Sequence, residues 1–444
     1  MAAEVLDRYA AEWTRLARQR GGGWKGALRV REDALHAFLS IGFPTTRDEE
    51  WRFTSVTPIA ERAFSMAADP DVAAASGAVA ALAWPGPVAA ELVFVDGHCI
   101  ASLSRHAELP AGSHVESLAS ALAQRHHEIE PYLAPGAPFD RHPFVALNTA
   151  FLDEGAYVEL PGGAVLAHPI HLIFVTSDAS GGRPTMTHPR VLVIAGANSQ
   201  ASIVETYGGP PGVPYLTTAV TQIVLNENAS LTHDRLQWEG TDAFHVGAVH
   251  VQAQRSASYT SHAISFGGAL VRNDLVASLN GEGVACTLNG LYCADGQRLV
   301  DNHTTIDHAR PHCGSRELYK GILADRARGV FNGKIIVRPD AQKTDAKQTN
   351  RALLLSEDAR INTKPQLEIF ANDVKCTHGA AVGQLDDEAL FYLRSRGMSE
   401  AAARHLLVHA FAADVLDRLP SAAVRGRVET HLKRQLARAL PSAA

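Results

Sequence analysis

The sequence contains no C-x-x-C pair, and its five cysteines, Cys99, Cys286, Cys293, Cys313 and Cys376, are odd in number and widely spread. A secreted disulfide framework uses an even set at tight spacing, so that class is excluded and the thiols read as reduced. No run approaches the ~18 apolar residues of a membrane span. The opening MAAEVLDRYAAEW has no apolar h-region. The expectation is a cytoplasmic chain. Positive charge is not in excess either: 41 Lys and Arg stand against 47 Asp and Glu, for a net charge of -6. That balance argues against nucleic acid as the main partner and against a polybasic membrane anchor.

Catalytic fingerprints are also missing. GVFNGKII resembles a phosphate loop, but Gly329 to Gly333 is one residue too short, and Ile335 stands where a Mg²⁺-binding hydroxyl is needed. GEGVAC stops short of a dinucleotide fingerprint, and no G-x-S-x-G elbow or H-E-x-x-H occurs. ATP hydrolysis, Rossmann cofactor binding and a serine triad therefore have no support.

What is present is enough apolar residue, 46% of 444, to bury a large core. Leu6, Tyr9, Trp13 and Leu16 share one helix face and read as core, with Gly21, Gly22 and Gly23 as the stop. A second helix is expected from about Glu32 to Ser40, ended by Gly42 and Pro44. Residues 64–87, rich in Ala, Gly and Pro, read as a loose connector. ELVFVDGHCI reads as a strand entering a turn at Asp96-Gly97, and 113–150 as helical.

From about Ala156 the pattern becomes short β-branched runs bounded by turns, with no helix-length segment between them. GANSQASIVE, NENASLTHDR, RSASYTSHAI and GEGVACTLNG repeat a small or polar turn before a strand. A period of this size signals stacked repeats. Two all-β readings follow, a large sandwich or barrel and a parallel β-helix, and the repeat favours the second. After Leu385 the pattern reverts to helix. Asp386 and Ser399 are N-caps and Gly397 a stop. Leu406, Leu407, Ala410, Phe411 and Val415 form an apolar face, and Val424, Val428, Leu432 and Leu436 form another.

Two stretches carry metal-ligand types. VDNHTTIDHARPHCGS holds His303, His308, His312 and Cys313, but H-x4-H-x3-H-C matches no zinc module, and imidazoles also serve turns. No permanent metal site is expected there. In DVKCTHGAAVG, Cys376 and His378 are two apart, so on a strand they share a face with Thr377 opposite. A thiolate and an imidazole side by side suit iron. A buried structural thiol is the other reading.

SRELYKGILADRARGVFNGKIIVRPDAQKTDAKQTNRALLLSEDARINTKPQLEIF and ANDVKCTHGAAVGQLDDEALFYLRSRG resemble the SufB/SufD family of the SUF iron–sulfur cluster assembly complex, on its SufD side. GFPTTRDEEWRFTSV, FVALNTAF and HPRVLVIAGANSQASIVETY add weaker support in the same order. The resemblance implies a mainly β protein: a right-handed parallel β-helix core over 151–385, an N-terminal helical region with connector over 1–150, and a C-terminal helical domain over 386–444. It implies a non-catalytic scaffold with two partners, a SufB-like paralogue and a SufC-like ABC-type ATPase docked on the C-terminal helices. It implies no cofactor tightly bound to the isolated chain. Iron or a nascent cluster forms at the boundary with the paralogue, with His378 the favoured ligand and Cys376 the second. Flavin binding by the complex, and a homodimer of the isolated chain, are left open. Asn372 stands where many family members carry an aspartate, which weakens any role for a carboxylate there. A SufB-like identity is the nearest alternative, but that pattern has Glu-His-Glu-Ala-like residues where this chain has Cys376-Thr377-His378-Gly379. A polysaccharide-processing β-helix enzyme is the alternative from another class, and such enzymes are usually secreted.

Overall fold

The computed structural model describes residues 2–20, 25–67, 69–133, 140–177 and 184–439. Its centre is a parallel β-solenoid of about seven turns. Successive strands alternate between two sheets. One runs through Gly155–Leu160, Arg190–Ala195, Tyr215–Leu225, Phe244–Ala253, Leu270–Leu279, Leu299–His308, Arg328–Val337 and Arg360–Ile369. The other runs through Ile170–Val175, Gln200–Gly208, Ser230–Trp238, Ser258–Ser265, Ala285–Ala294, Gly314–Leu323, Asp345–Leu354 and Lys375–Gly383. The β-helix reading therefore holds over the sandwich.

The recurring turns are one structural position repeated. Asn198, Asn228, Ser256, Gly283, His312 and Lys343 all have positive φ, between 56° and 71°, at the same corner of successive rungs. The N–H of each donates to a carbonyl of the next rung, as from Asn198 to Glu227 at 2.9 Å and from His312 to Gln342 at 2.9 Å. Asn and Gly suit the left-handed conformation and Ser is a common turn residue, which is why four of these turns are legible in the sequence. The two built on His312 and Lys343 are not, because neither residue type signals a turn.

Alternate residues of each strand point inward and fill the solenoid with one apolar core, including Ile203, Leu231, Tyr259, Leu288, Ile306 and Phe331. Both outer faces are covered. Tyr9, Leu16, Phe38, Phe64 and Phe144 of the N-terminal region pack on Leu216, Phe244, Val246 and Leu270 of the first sheet. The Leu6–Leu16 stripe is thus core, as its spacing predicts. The Gly21–Gly23 stop lies outside the described residues.

Two N-terminal expectations are corrected. Residues 64–87 are no loose connector: Val72–Leu82 is a helix, capped by Asp71 accepting from Ala74 N at 2.8 Å. Its alanines are strong helix formers, and Ala75, Val79 and Leu82 pack on Val93, Val95, Ile173 and Val175. Residues 113–150 open with a strand, His114–Ser117, antiparallel to the solenoid residues 156–159, before the helices Leu118–Leu133 and Pro143–Ala150. The strand Ala90–Val95 ends in the expected turn, Asp96 and Gly97 both at positive φ, and pairs with Ile170–Val175 at the start of the second sheet.

The C-terminal helices are Asp387–Ser395, Glu400–Leu416 and Ala422–Ala439. Asp386 accepts from Glu388 N at 2.9 Å and Ser399 from Ala402 N at 3.3 Å, so both caps stand where the sequence places them. The apolar face of the middle helix is rotated from the expected one. Ala403, Val408, Ala412, Val415 and Leu416 are buried, whereas Leu406 and Ala410 are exposed. Val408, Ala412, Val415 and Leu416, with Val424, Val428, Leu432 and Leu436, cover Val204, Leu236, Ile264, Leu291, Leu318 and Leu353 on the second sheet. No helix of the described residues is long and apolar enough to cross a membrane.

Candidate functional site

The last rung differs from all the others. Arg360–Ile369 and Lys375–Gly383 each have a neighbouring strand on one side only, and neither contains a fully buried residue. The end of the solenoid is open, and two strand edges run along it.

Cys376 and His378 lie on this last strand, where the register pairs Cys376 with Ala346 and His378 with Gln348. Ala346 and Gln348 are buried inside the solenoid, so both site residues continue inward-facing rows. Cys376 is half-buried against Ile335, Val337, Ala341 and Ala346. Burial pushes its thiol above the usual range, which favours the neutral form. His378 is exposed, because no further rung stacks on it.

Beneath His378 the same row runs through Gln348, Glu317, Leu288, Ser261 and His233. Gln348 Nε2 donates to Glu317 Oε2 at 2.7 Å, while Glu317 Oε1 and Gln348 Oε1 have no partner. Burial raises the Glu317 carboxyl to about 7. Gly333 makes this packing possible, since a Cβ there would sit 2.1 Å from Gln348 Nε2. The phosphate-loop-like GVFNGKII is therefore a strand whose glycine gives room to a buried amide. Sequence reasoning missed Glu317 and Gln348. The spacing is 30 residues from His378 to Gln348 and 31 from Gln348 to Glu317, so no fixed repeat length locates both.

The His303–Cys313 stretch does not converge. His303 is on the outer face, with Nε2 3.0 Å from Asp301 and Nδ1 3.2 Å from Glu50 of the N-terminal region. Burial alone would depress its pKa, but the Asp301 and Glu50 carboxylates overcome this and raise it to about 9. The ion pair ties the N-terminal region to the solenoid, together with Thr54 Oγ1 donating to Asp301 Oδ2 at 2.5 Å. His308 points to the opposite, inner face and contacts Ser315 Oγ at 3.0 Å. His312 is a turn residue, and Cys313 is buried with its thiol donating to Gly281 O at 3.3 Å. Among the described residues, the group close enough to share a metal is His126, His127 and Glu130, far along the chain on the helix Leu118–Leu133.

A second surface feature lies on the C-terminal helices. Phe391 is 74% exposed and Tyr392 57%, and Leu406 is also exposed on the adjoining helix. The neighbouring Phe411 is half-buried and holds Lys320, whose Nζ lies 4.5 Å from its ring centroid and donates to Asp414 at 2.6 Å.

Comparison with known proteins agrees with this architecture along nearly the whole chain. Residues 174–411 match the SufBD core domain of SUF-system FeS cluster assembly, and residues 26–172 match the SufBD protein N-terminal region. An iron–sulfur cluster assembly SufBD family protein of Synechocystis is 36% identical over 412 residues, 90% of this chain and 89% of that protein. The iron–sulfur cluster assembly protein SufD of Escherichia coli is 30% identical over 404 residues, 90% of this chain and 91% of that protein. The chloroplastic protein ABCI7 of Arabidopsis thaliana is 28% identical over 410 residues, 91% of this chain and 85% of that protein. By its matched domains, its end-to-end likeness to these relatives and its solenoid, the chain belongs to the SufBD family of the SUF iron–sulfur cluster assembly system.

Proposed function

We propose that this chain is a non-catalytic scaffold subunit that works in the cytoplasm with a SufB-like paralogue and a SufC-like ATPase. The observation that carries this reading is the open last rung, which brings two unpaired strand edges and the Cys376/His378 pair to the same end of the molecule. An uncovered edge is a template for another chain's strand, and natural proteins seldom leave one bare without a partner. A paralogue with the same kind of solenoid end can extend both sheets. A second copy of this chain can do so when the paralogue is absent.

Iron or a nascent cluster is then the cargo of that junction. His378 supplies an imidazole, and Cys376 a thiol that must lose its proton to bind. The partner supplies the remaining thiolates, so the isolated chain holds no stable cluster. The exposed Phe391, Tyr392 and Leu406 form the docking patch for the ATPase.

The test compares His378→Ala with wild type in the assembled complex. The variant should bind both partners, leave ATP hydrolysis intact and lose most cluster formation, read as iron and sulfide per complex. Normal cluster content in an intact variant complex would remove His378 from the mechanism. Cys376→Ala should have a smaller effect.

A further inference from the structure

A cleft of about 1090 Å³ opens between the N-terminal region and the outer face of the first sheet; it reaches Val382 on the last strand, and neither Cys376 nor His378 lines it. Five arginines line it: Arg52 and Arg62 from the N-terminal side, and Arg326, Arg328 and Arg360 from the solenoid. No carboxylate lines it among the described residues. None of the five makes an ion pair among the described residues, although the chain carries more acidic than basic side chains. Arg62 instead sits over the Phe244 ring at 5.5 Å, and Arg52 over the Phe53 ring at 5.8 Å.

Arg328 and Arg360 are direct register partners on adjacent strands. Their backbones are therefore about 4.8 Å apart, and like charges placed this way destabilise a sheet. The row they continue is apolar, running back through Leu299, Leu270 and Phe244. The solenoid thus switches from leucine to arginine where the cleft opens. The facing wall brings two further cations. Such a convergence is relieved by a bound polyanion.

We propose that this cleft binds a nucleoside diphosphate. Guanidinium forks match phosphate oxygens two at a time, and several of them suit a diphosphate better than a carboxylate. The apolar floor of Phe244, Leu270, Leu299 and Ile361, and the exposed Phe53 ring, would be wasted on an inorganic anion and fit a flat base and its sugar. The volume, about 1090 Å³, is slightly above the roughly 300–1,000 Å³ of most small-ligand sites. Arg360 and Ile361 on one edge strand and Val382 on the other also line the cleft, so it borders the open end of the solenoid.

The experiment is calorimetric titration of the full chain with ADP, with adenosine and pyrophosphate as the two halves of the ligand. ADP should bind saturably at one site per chain and more tightly than either half. The double variant Arg328→Gln/Arg360→Gln should weaken ADP by at least about tenfold. Its unfolding temperature without ligand should not fall, because a like-charge row has been removed. Phe53→Ala, on an exposed ring, should weaken ADP and leave pyrophosphate unchanged. His378→Ala should leave ADP binding intact. Absence of ADP binding, pyrophosphate binding as tight as ADP, or unchanged affinity in the double variant would each overturn the proposal. So would saturable binding of polyglutamate without ADP, which would assign the cleft to an acidic protein segment.

Discussion

Glu317 is an acid held where its charged form is disfavoured. Its side chain is fully enclosed, one oxygen has no partner, and its pKa rises from 4.5 to about 7. A group whose folded pKa exceeds its unfolded value adds stability below the unfolded pKa and loses it as pH rises through the folded one. The contribution of Glu317 to stability should therefore fall between about pH 4.5 and about 7, by roughly 3 kcal/mol, against the opposite trend set by the buried His188, His250 and His308. The difference in stability between wild type and Glu317→Gln, read from urea unfolding curves across the range, should carry this slope. A difference that does not change with pH would show that Glu317 is not the titrating group. Gln348 links this carboxyl to the rung below His378, so its protonation is felt one rung from the candidate site.

At the scale of the element, the C-terminal helices have one buried apolar face and one that exposes Phe391, Tyr392 and Leu406. One face buries Val408, Val415, Leu416, Val428 and Leu432 on the second sheet. Removing everything after Leu385 would uncover that sheet, so a truncated chain cannot separate docking from folding. Point changes can. Leu416→Ala should cost about 2–5 kcal/mol, as large-to-small core changes do. Phe391→Asp with Leu406→Asp replaces exposed side chains only, and exposed positions change stability little. That variant should keep the wild-type unfolding temperature and lose the ATPase in pull-downs. Retained ATPase binding would move the docking surface elsewhere.

For the whole molecule, the decisive asymmetry is that the outer faces of the two sheets are packed with helices while the last rung is bare. Val382 is 48% exposed and Ile369 40%, one on each edge strand. Lysine on an edge strand blocks strand addition. Val382→Lys with Ile369→Lys should therefore abolish pairing with the paralogue, and self-association of the isolated chain, in sedimentation velocity. The fold should be unaffected, since neither residue is core. Unchanged association would show that the open end is not the interface.

Local pattern was legible in the sequence because it depends on neighbours along the chain. The caps at Asp386 and Ser399, the turns at Asn198, Asn228, Ser256 and Gly283, the Leu6–Leu16 stripe and the same-strand placement of Cys376 and His378 could all be read there. Position across rungs could not. Corner-to-corner spacing varies from 27 to 31 residues, and a one-residue error reverses which face a side chain takes. Stacking alone set Glu317 and Gln348 beneath His378. Packing against the second sheet, and not helical spacing, chose Val408 over Leu406 as core, because a helix with apolar residues around much of its circumference offers more than one face to bury. Folding of the N-terminal region onto the first sheet brought Arg52 and Arg62 to Arg326, Arg328 and Arg360, some 264 or more residues away in sequence, a distance no periodicity spans.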